Sequence, residues 1–218
     1  MMKSLKAVIG MLFLLAVDTL VQLAVLPDMR ATQLIWLMMP LVVVLTLTVV
    51  TRLAHWFELT LNWRITKRQI GLIIESAVGL ILVLPMVGMV LTMFVGHPTI
   101  SQNQASINQT LQGGVLTQIA MVFLAVVIAP LIEETMFRGV VMNTWFKENK
   151  YYADVLLSAV LFGIFHTTAD LSLVTVTPYV VMGAVFALIY RKTGNLAVNI
   201  YTHMLYNAIV VGVSLFIL

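Results

Sequence analysis

The chain has 218 residues, of which 61% are hydrophobic and only 10% charged, and its mean hydropathy is +1.04. A soluble domain carries about a quarter charged residues, so this composition excludes one. The formal charge of +3 gives no case for a nucleic-acid partner, and the absence of cysteine excludes disulfides, thiolate metal sites and a cysteine nucleophile.

What remains is a polytopic helical membrane protein with lipid as its surroundings. Only helices or closed barrels satisfy their backbone inside hydrocarbon, and the apolar runs here are continuous and near 20 residues rather than alternating ten-mers. The expected fold is an all-α transmembrane bundle of about seven spans, one membrane domain over 1–218, with variable N-terminal helices over 1–96.

In chain order, the first run extends from Leu5 to Leu26 behind Lys3 and Lys6. It is too long for a signal-peptide core, contains Asp18 and lacks a small-x-small cleavage site, so a retained helix is expected. Pro27, Asp28 and Arg30 predict a short turn. The second run covers Leu34 to Val50. From Arg52 to Gln69, Trp56, Phe57, Leu59, Trp63 and Ile65 alternate with Arg64, Lys67 and Arg68, which predicts an amphipathic interfacial segment. The third run is Ile70 to Val95, with a kink expected at Pro85. His97 to Gly114, polar and uncharged, predicts an external loop. The remaining runs are Val115 to Phe146, Tyr151 to His166, Leu171 to Tyr190 and Leu196 to Leu218.

Basic residues orient this bundle. With seven spans and a cytoplasmic N-terminus, ten lysines and arginines fall in cytoplasmic segments and Arg30 alone falls outside. The C-terminus is then external. The twelfth basic residue, Arg138, lies inside the fourth run.

That run carries the anomaly of the chain: Glu133, Glu134 and Arg138 within six positions of apolar sequence. A charge inside hydrocarbon costs several kcal/mol, roughly 2.5 to 3.5 on insertion scales, unless it is paired or faces a cavity. Adjacent residues point about 100° apart on a helix, whereas residues four apart share a face. Glu134 and Arg138 are therefore expected to pair, leaving Glu133 for a cavity, with Pro130 kinking the helix just before it. Measured from the presumed cytoplasmic ends, Glu133 is 14 residues from Lys147, His166 is 15 from Tyr151 and His203 is 11 from Lys192. At about 1.5 Å per residue these are roughly 16 to 23 Å deep, near the middle of a ~30 Å core. Phe162 shares a face with His166, and Asn207 with His203.

Three helices thus offer polar groups at one level. A carboxylate with a neutral imidazole can hold and deprotonate a water, while a second histidine and an amide can donate to an oxyanion. Equally, Glu133, His166 and His203 can ligate zinc with the fourth position left to water. Both routes make a hydrolase. Each histidine by itself is more simply a hydrogen-bonded structural residue, and Asp18, Glu75 and Asp154 read as structural or interfacial. The competing readings are a non-catalytic immunity or scaffold protein and a small proton-coupled transporter. The transporter is disfavoured because paired broken helices in repeated halves are absent.

Glu133-Glu134-x-x-x-Arg138 resembles the EExxxR signature of the CPBP family (CAAX proteases and bacteriocin-processing enzymes, also called Abi). Phe162-x-x-x-His166 is similar to its second motif and His203-x-x-x-Asn207 to its last. Ala129-Pro130-Leu131 before the first motif and Thr193-Gly194-Asn195-Leu196 before the last helix agree. The resemblance spans Val115 to about Ala208. It implies an intramembrane endopeptidase acting on a membrane-associated peptide or protein, with Glu133 and His166 activating water and His203 and Asn207 stabilising the oxyanion. It leaves both a metal-free glutamate mechanism and a divalent metal such as zinc open. Bacterial members suggest the plasma membrane as its location and peptide processing or bacteriocin immunity as its role, rather than prenylated CAAX substrates.

Overall fold

A computed structural model describes residues 5, 8–16, 19, 29–95, 101–145, 150–168 and 171–217. The expected helix at Leu5 to Leu26 falls mostly outside these, as do Lys3, Lys6, Asp18, Pro27, Asp28, His97 and Lys147. Within that run, residues 8–16 are helical. The remaining helices are α1 (Met29–Trp56), α2 (Lys67–Val95), α3 (Gln102–Leu111), α4 (Val115–Thr144), α5 (Ala153–His166), α6 (Leu173–Thr193) and α7 (Leu196–Ile217). Among the described residues there is no strand, only one isolated parallel bridge between Thr60 and Asn195.

The chain folds as a helical membrane bundle. Five of these helices are long and apolar enough to cross a membrane: Met39–Trp56 within α1, and α2, α4, α6 and α7. α5 is apolar but only 14 residues long. α1 begins at Met29, absorbing the end of the expected turn. α2 continues through Pro85 as one helix.

Two stretches differ from expectation. The polar run after His97 is not a plain loop: Ser101 caps α3, its hydroxyl accepting from the Gln104 N–H, and ten helical residues follow. The expected interfacial segment is divided. Arg52 to Trp56 end α1, residues 57–66 run without helix, and α2 starts at Lys67. Tertiary hydrogen bonds fix the middle of this connection. Asn195 Oδ1 accepts from Asn62 N–H at 3.0 Å, Asn195 Nδ2 donates to Asn62 O at 2.9 Å, and Leu196 N–H donates to Thr60 O at 2.9 Å. Local amphipathicity does not reveal partners 133 residues away.

α4 is central, packed by α1, α5, α6 and α7. It is not a uniform α-helix: π-turns at Leu124–Ile128 and Thr135–Val141 flank an α-helical piece, Ala129–Glu134. Wider turns leave carbonyls without their usual partners, and side chains answer them. Asn143 Nδ2 donates to Arg138 O and Gly139 O, and Ser158 Oγ donates to Phe137 O.

α5 and α6 pack closely through Gly163 and Gly183, the small-residue contact expected where lipid provides no hydrophobic drive. A Cβ at Gly183 would stand 3.0 Å from Ala159 Cα and 3.1 Å from Phe162 Cβ. A capping box at Ser172 and Thr175 starts α6, and Gly194 ends it with φ 61°, in the left-handed region glycine favours. Asp154 and Arg191 join the far ends of α5 and α6 at 2.6 Å.

Candidate active site

The α-helical piece between the two π-turns presents the paired carboxylates, and α5 and α7 bring the histidines to it. Glu133 Oε2 lies 3.4 Å from His166 Nε2 and 3.9 Å from His203 Nε2. Glu133 is 5% exposed and His203 2%, so both are buried within the bundle. Among buried polar atoms, Glu133 Oε2 has no hydrogen-bond partner.

Glu134 faces the other way and is fully buried. Its Oε1 accepts from Arg138 Nη1 at 3.1 Å and from His203 Nδ1 at 2.9 Å, and its Oε2 accepts from Asn199 Nδ2 at 3.2 Å. Arg138 Nη2 donates to Gly183 O at 2.9 Å, and the guanidinium carbon lies 4.7 Å from the Phe162 ring centroid. The charges of Glu134 and Arg138 thus compensate each other in the bundle core, as their four-residue spacing implies.

The outer nitrogens fix the histidine tautomers. His166 Nδ1 is 3.0 Å from Phe162 O, and a carbonyl only accepts, so Nδ1 carries the hydrogen. His203 Nδ1 likewise donates to the arginine-paired Glu134 carboxylate. Both imidazoles therefore turn Nε2 towards Glu133. Glu133 Oε2 thus faces one Nε2 at 3.4 Å and another at 3.9 Å, an arrangement able to hold a water or share a proton.

Glu133, His166 and His203 are the residues that would hold a zinc ion. Tetrahedral ligand atoms at ~2.0 to 2.1 Å from zinc lie roughly 3.3 Å apart, which suits the Glu133–His166 edge but not the 3.9 Å Glu133–His203 edge. Among the described residues no group of three or more His, Cys, Asp or Glu is placed to hold a metal ion.

Asn207 Nδ2 donates to Ala125 O at 2.7 Å, one turn beyond His203 on α7. One of its two amide hydrogens is thereby used on α4. Phe162 packs at 4.3 Å between ring centroids against His166 and at 5.2 Å against Phe137. Glu75 is not part of this cluster, and Asp154 is engaged with Arg191.

Two residues of the site have no counterpart in the sequence reading. Asn199 is wholly buried and donates to Phe186 O at 2.6 Å as well as to Glu134. Its signal was present: Asn199, His203 and Asn207 recur every four residues, one helix face. Tyr179 stacks on His166 at 4.8 Å with an interplanar angle of 17°, and its hydroxyl meets Ser101 Oγ at 2.9 Å. No spacing rule points to Tyr179, because its partners come from three different helices or their caps.

Comparison with known proteins agrees with the motif pattern. Residues 115–209 match the family described as Type II CAAX prenyl endopeptidase Rce1-like. The chain is 32% identical over 95 residues to the "Putative membrane peptidase YdiL" of Bacillus subtilis (strain 168), covering 44% of this chain and 37% of that protein. It is 36% identical over 96 residues to the "Membrane-embedded CAAX protease MroQ" of Staphylococcus aureus (strain USA300), covering 41% of this chain and 37% of that protein. The match spans little more than a third of the length of these curated relatives. No solved structure matches.

Proposed function

We propose that this integral membrane protein, whose residues 115–209 form a CPBP-type core of the Rce1-like kind, is an intramembrane endopeptidase. Its substrate is a membrane-associated peptide or protein, and its setting is a bacterial plasma membrane; both relatives are bacterial and are named as membrane proteins. One observation carries the reading: the buried, unpartnered Glu133 Oε2 faces the Nε2 atoms of two oriented histidines.

A water seated between Glu133 Oε2 and His166 Nε2 directs its two hydrogens at those atoms and keeps a lone pair for attack. Glu133, assisted by His166, takes one water proton while the hydroxide adds to the carbonyl carbon of the scissile amide. His203 enters the step already protonated and keeps both protons: its Nε2–H meets the oxyanion while its Nδ1–H stays on Glu134. The tetrahedral species then collapses, the C–N bond breaks, and the proton held by Glu133 passes to the leaving amine. Arg138 balances Glu134 throughout, and Phe162 holds His166 through its carbonyl. No step in this sequence uses a metal.

The lysine and arginine distribution puts the N-terminus in the cytoplasm and the C-terminus outside. Substrate then enters from the cytoplasmic half, and peptide processing or bacteriocin immunity is the role we assign. The test compares peptides in membranes carrying the wild-type protein or Glu133→Ala, with equal insertion checked for both. Peptides cut only by the wild type support the reading. Identical peptide sets would return the chain to a non-catalytic immunity or scaffold role.

A further inference from the structure

Ala125 O is one of the carbonyls of α4 that a side chain from another helix serves. In an α-helix its donor would be the Ala129 N–H, but in this π-turn that group goes to Leu124 O. In the π register its donor would be residue 130, which is proline and has no N–H. An unserved carbonyl in a water-poor interior is strongly unfavourable. Asn207 Nδ2, arriving from α7, fills the vacancy at 2.7 Å. The contact falls three residues before Ile128 ends the π-turn and eight before Glu133, on the element that sets where Glu133 points.

We propose that Asn207 is a positioning residue: its amide substitutes for the backbone N–H that Pro130 lacks, clamping α7 to the bend of α4. The clamp holds Glu133 and His203 at their 3.9 Å separation, since one partner rides on each helix. Asn207 then contributes to hydrolysis through helix placement, by the one amide hydrogen it spends on Ala125 O. The proposal rests on the proteolytic reading for its activity readout, but the clamp has a readout of its own.

The experiment is a double-mutant cycle of Asn207→Ala and Pro130→Ala in full-length protein. Alanine at 130 restores an N–H for Ala125 O, so it should relieve the need for Asn207. Cleavage is followed on the membrane peptide that distinguishes wild type from Glu133→Ala, and thermal unfolding is followed in detergent micelles. Asn207→Ala should lower kcat about 100-fold at unchanged KM, the scale of a displacement near 1 Å. Adding Pro130→Ala should recover tenfold or more of that ~100-fold loss, and the two substitutions should be non-additive in unfolding temperature. A double variant as inactive as Asn207→Ala, with additive unfolding shifts, would overturn the clamp and leave Asn207 as a direct donor to substrate. If Asn207→Ala fails to accumulate in membranes, accumulation of the double variant decides: recovery supports the clamp and continued absence overturns it. If no peptide distinguishes wild type from Glu133→Ala, the proteolytic reading fails, and the unfolding cycle still tests the clamp.

Discussion

His203 Nδ1 lies 2.9 Å from Glu134 Oε1, and that same oxygen also receives Arg138 Nη1 at 3.1 Å. One carboxylate therefore serves both as counter-ion to a buried guanidinium and as the group that orients an imidazole. Its neighbour in sequence, Glu133, is thereby released from both duties.

Glu134→Gln should separate these duties from catalysis by Glu133. A buried ion pair broken on one side costs about 3 to 5 kcal/mol, and an imidazole without its orienting carboxylate loses its fixed tautomer. We expect a lowered unfolding temperature together with a drop in kcat of roughly 100-fold or more. Glu133→Gln should abolish cleavage at a near-normal unfolding temperature. Equal stability of the two variants would contradict the assignment.

Asn199→Leu removes two donors at once, from Glu134 Oε2 and from Phe186 O. Each buried acceptor left unserved costs about 1 to 3 kcal/mol. The expected result is a destabilised protein with reduced kcat, rescued better by Asn199→Gln than by an apolar residue. Thermal unfolding with cleavage kinetics reads both, and a wild-type profile for Asn199→Leu would remove Asn199 from the network.

Gly183→Val tests the close approach of α5 and α6. A Cβ there meets Ala159 Cα at 3.0 Å, backbone that has nowhere to retreat without moving α5. That movement carries Phe162 and His166 away from Glu133 and breaks the Gly183 O contact to Arg138. Overpacking of this kind costs about 1 to 3 kcal/mol, and cleavage should be lost. The paired control is Gly71→Val, where no atom lies within 4 Å of an added Cβ, and it should behave as wild type.

Tyr179→Leu takes the stacked ring off His166, whereas Tyr179→Phe keeps the ring and removes only the hydroxyl contacts to Ser101 and Asn103. We expect Tyr179→Leu to lower kcat and Tyr179→Phe to retain it, the latter with faster hydrogen exchange in Gln102–Leu111. Equal loss in both would shift the weight from the ring to the hydroxyl.

Chelators address the metal question directly. A mechanism resting on Glu133 and two histidines keeps its rate after dialysis against a zinc chelator, and the purified protein holds substoichiometric zinc. Activity lost on chelation and restored by added zinc would replace it with a metal mechanism at the same residues.

The helical class, the Glu134–Arg138 pairing and the common level of Glu133, His166 and His203 were legible because each rests on short-range periodicity or on hydropathy. Four-residue spacing predicts a shared face whatever surrounds it. The π-turns of α4 were not legible, since a 100° step per residue assumes uniform winding and nothing in Leu124–Ile128 announces a wider turn. Pro130 did announce a disturbance, but not that its missing N–H would be answered from Asn207. α3 was concealed by a composition that suits loops as well as short helices, with only Ser101 as a capping signal. The conformation of the connection at 57–66 was not legible either: its aromatic and basic residues mark an interfacial segment, while its backbone is held by Asn195.

That connection also bears on how the protein is made. The backbone around Asn62 finds its amide partner only when residue 195 arrives, 133 positions later. During synthesis at ~5 to 20 residues per second, the first helices must wait several seconds with this stretch unserved by its final partner. Lesions at Asn62 or Asn195 should therefore show first as slow maturation and chaperone or protease capture of nascent chains, before any defect appears in the finished molecule.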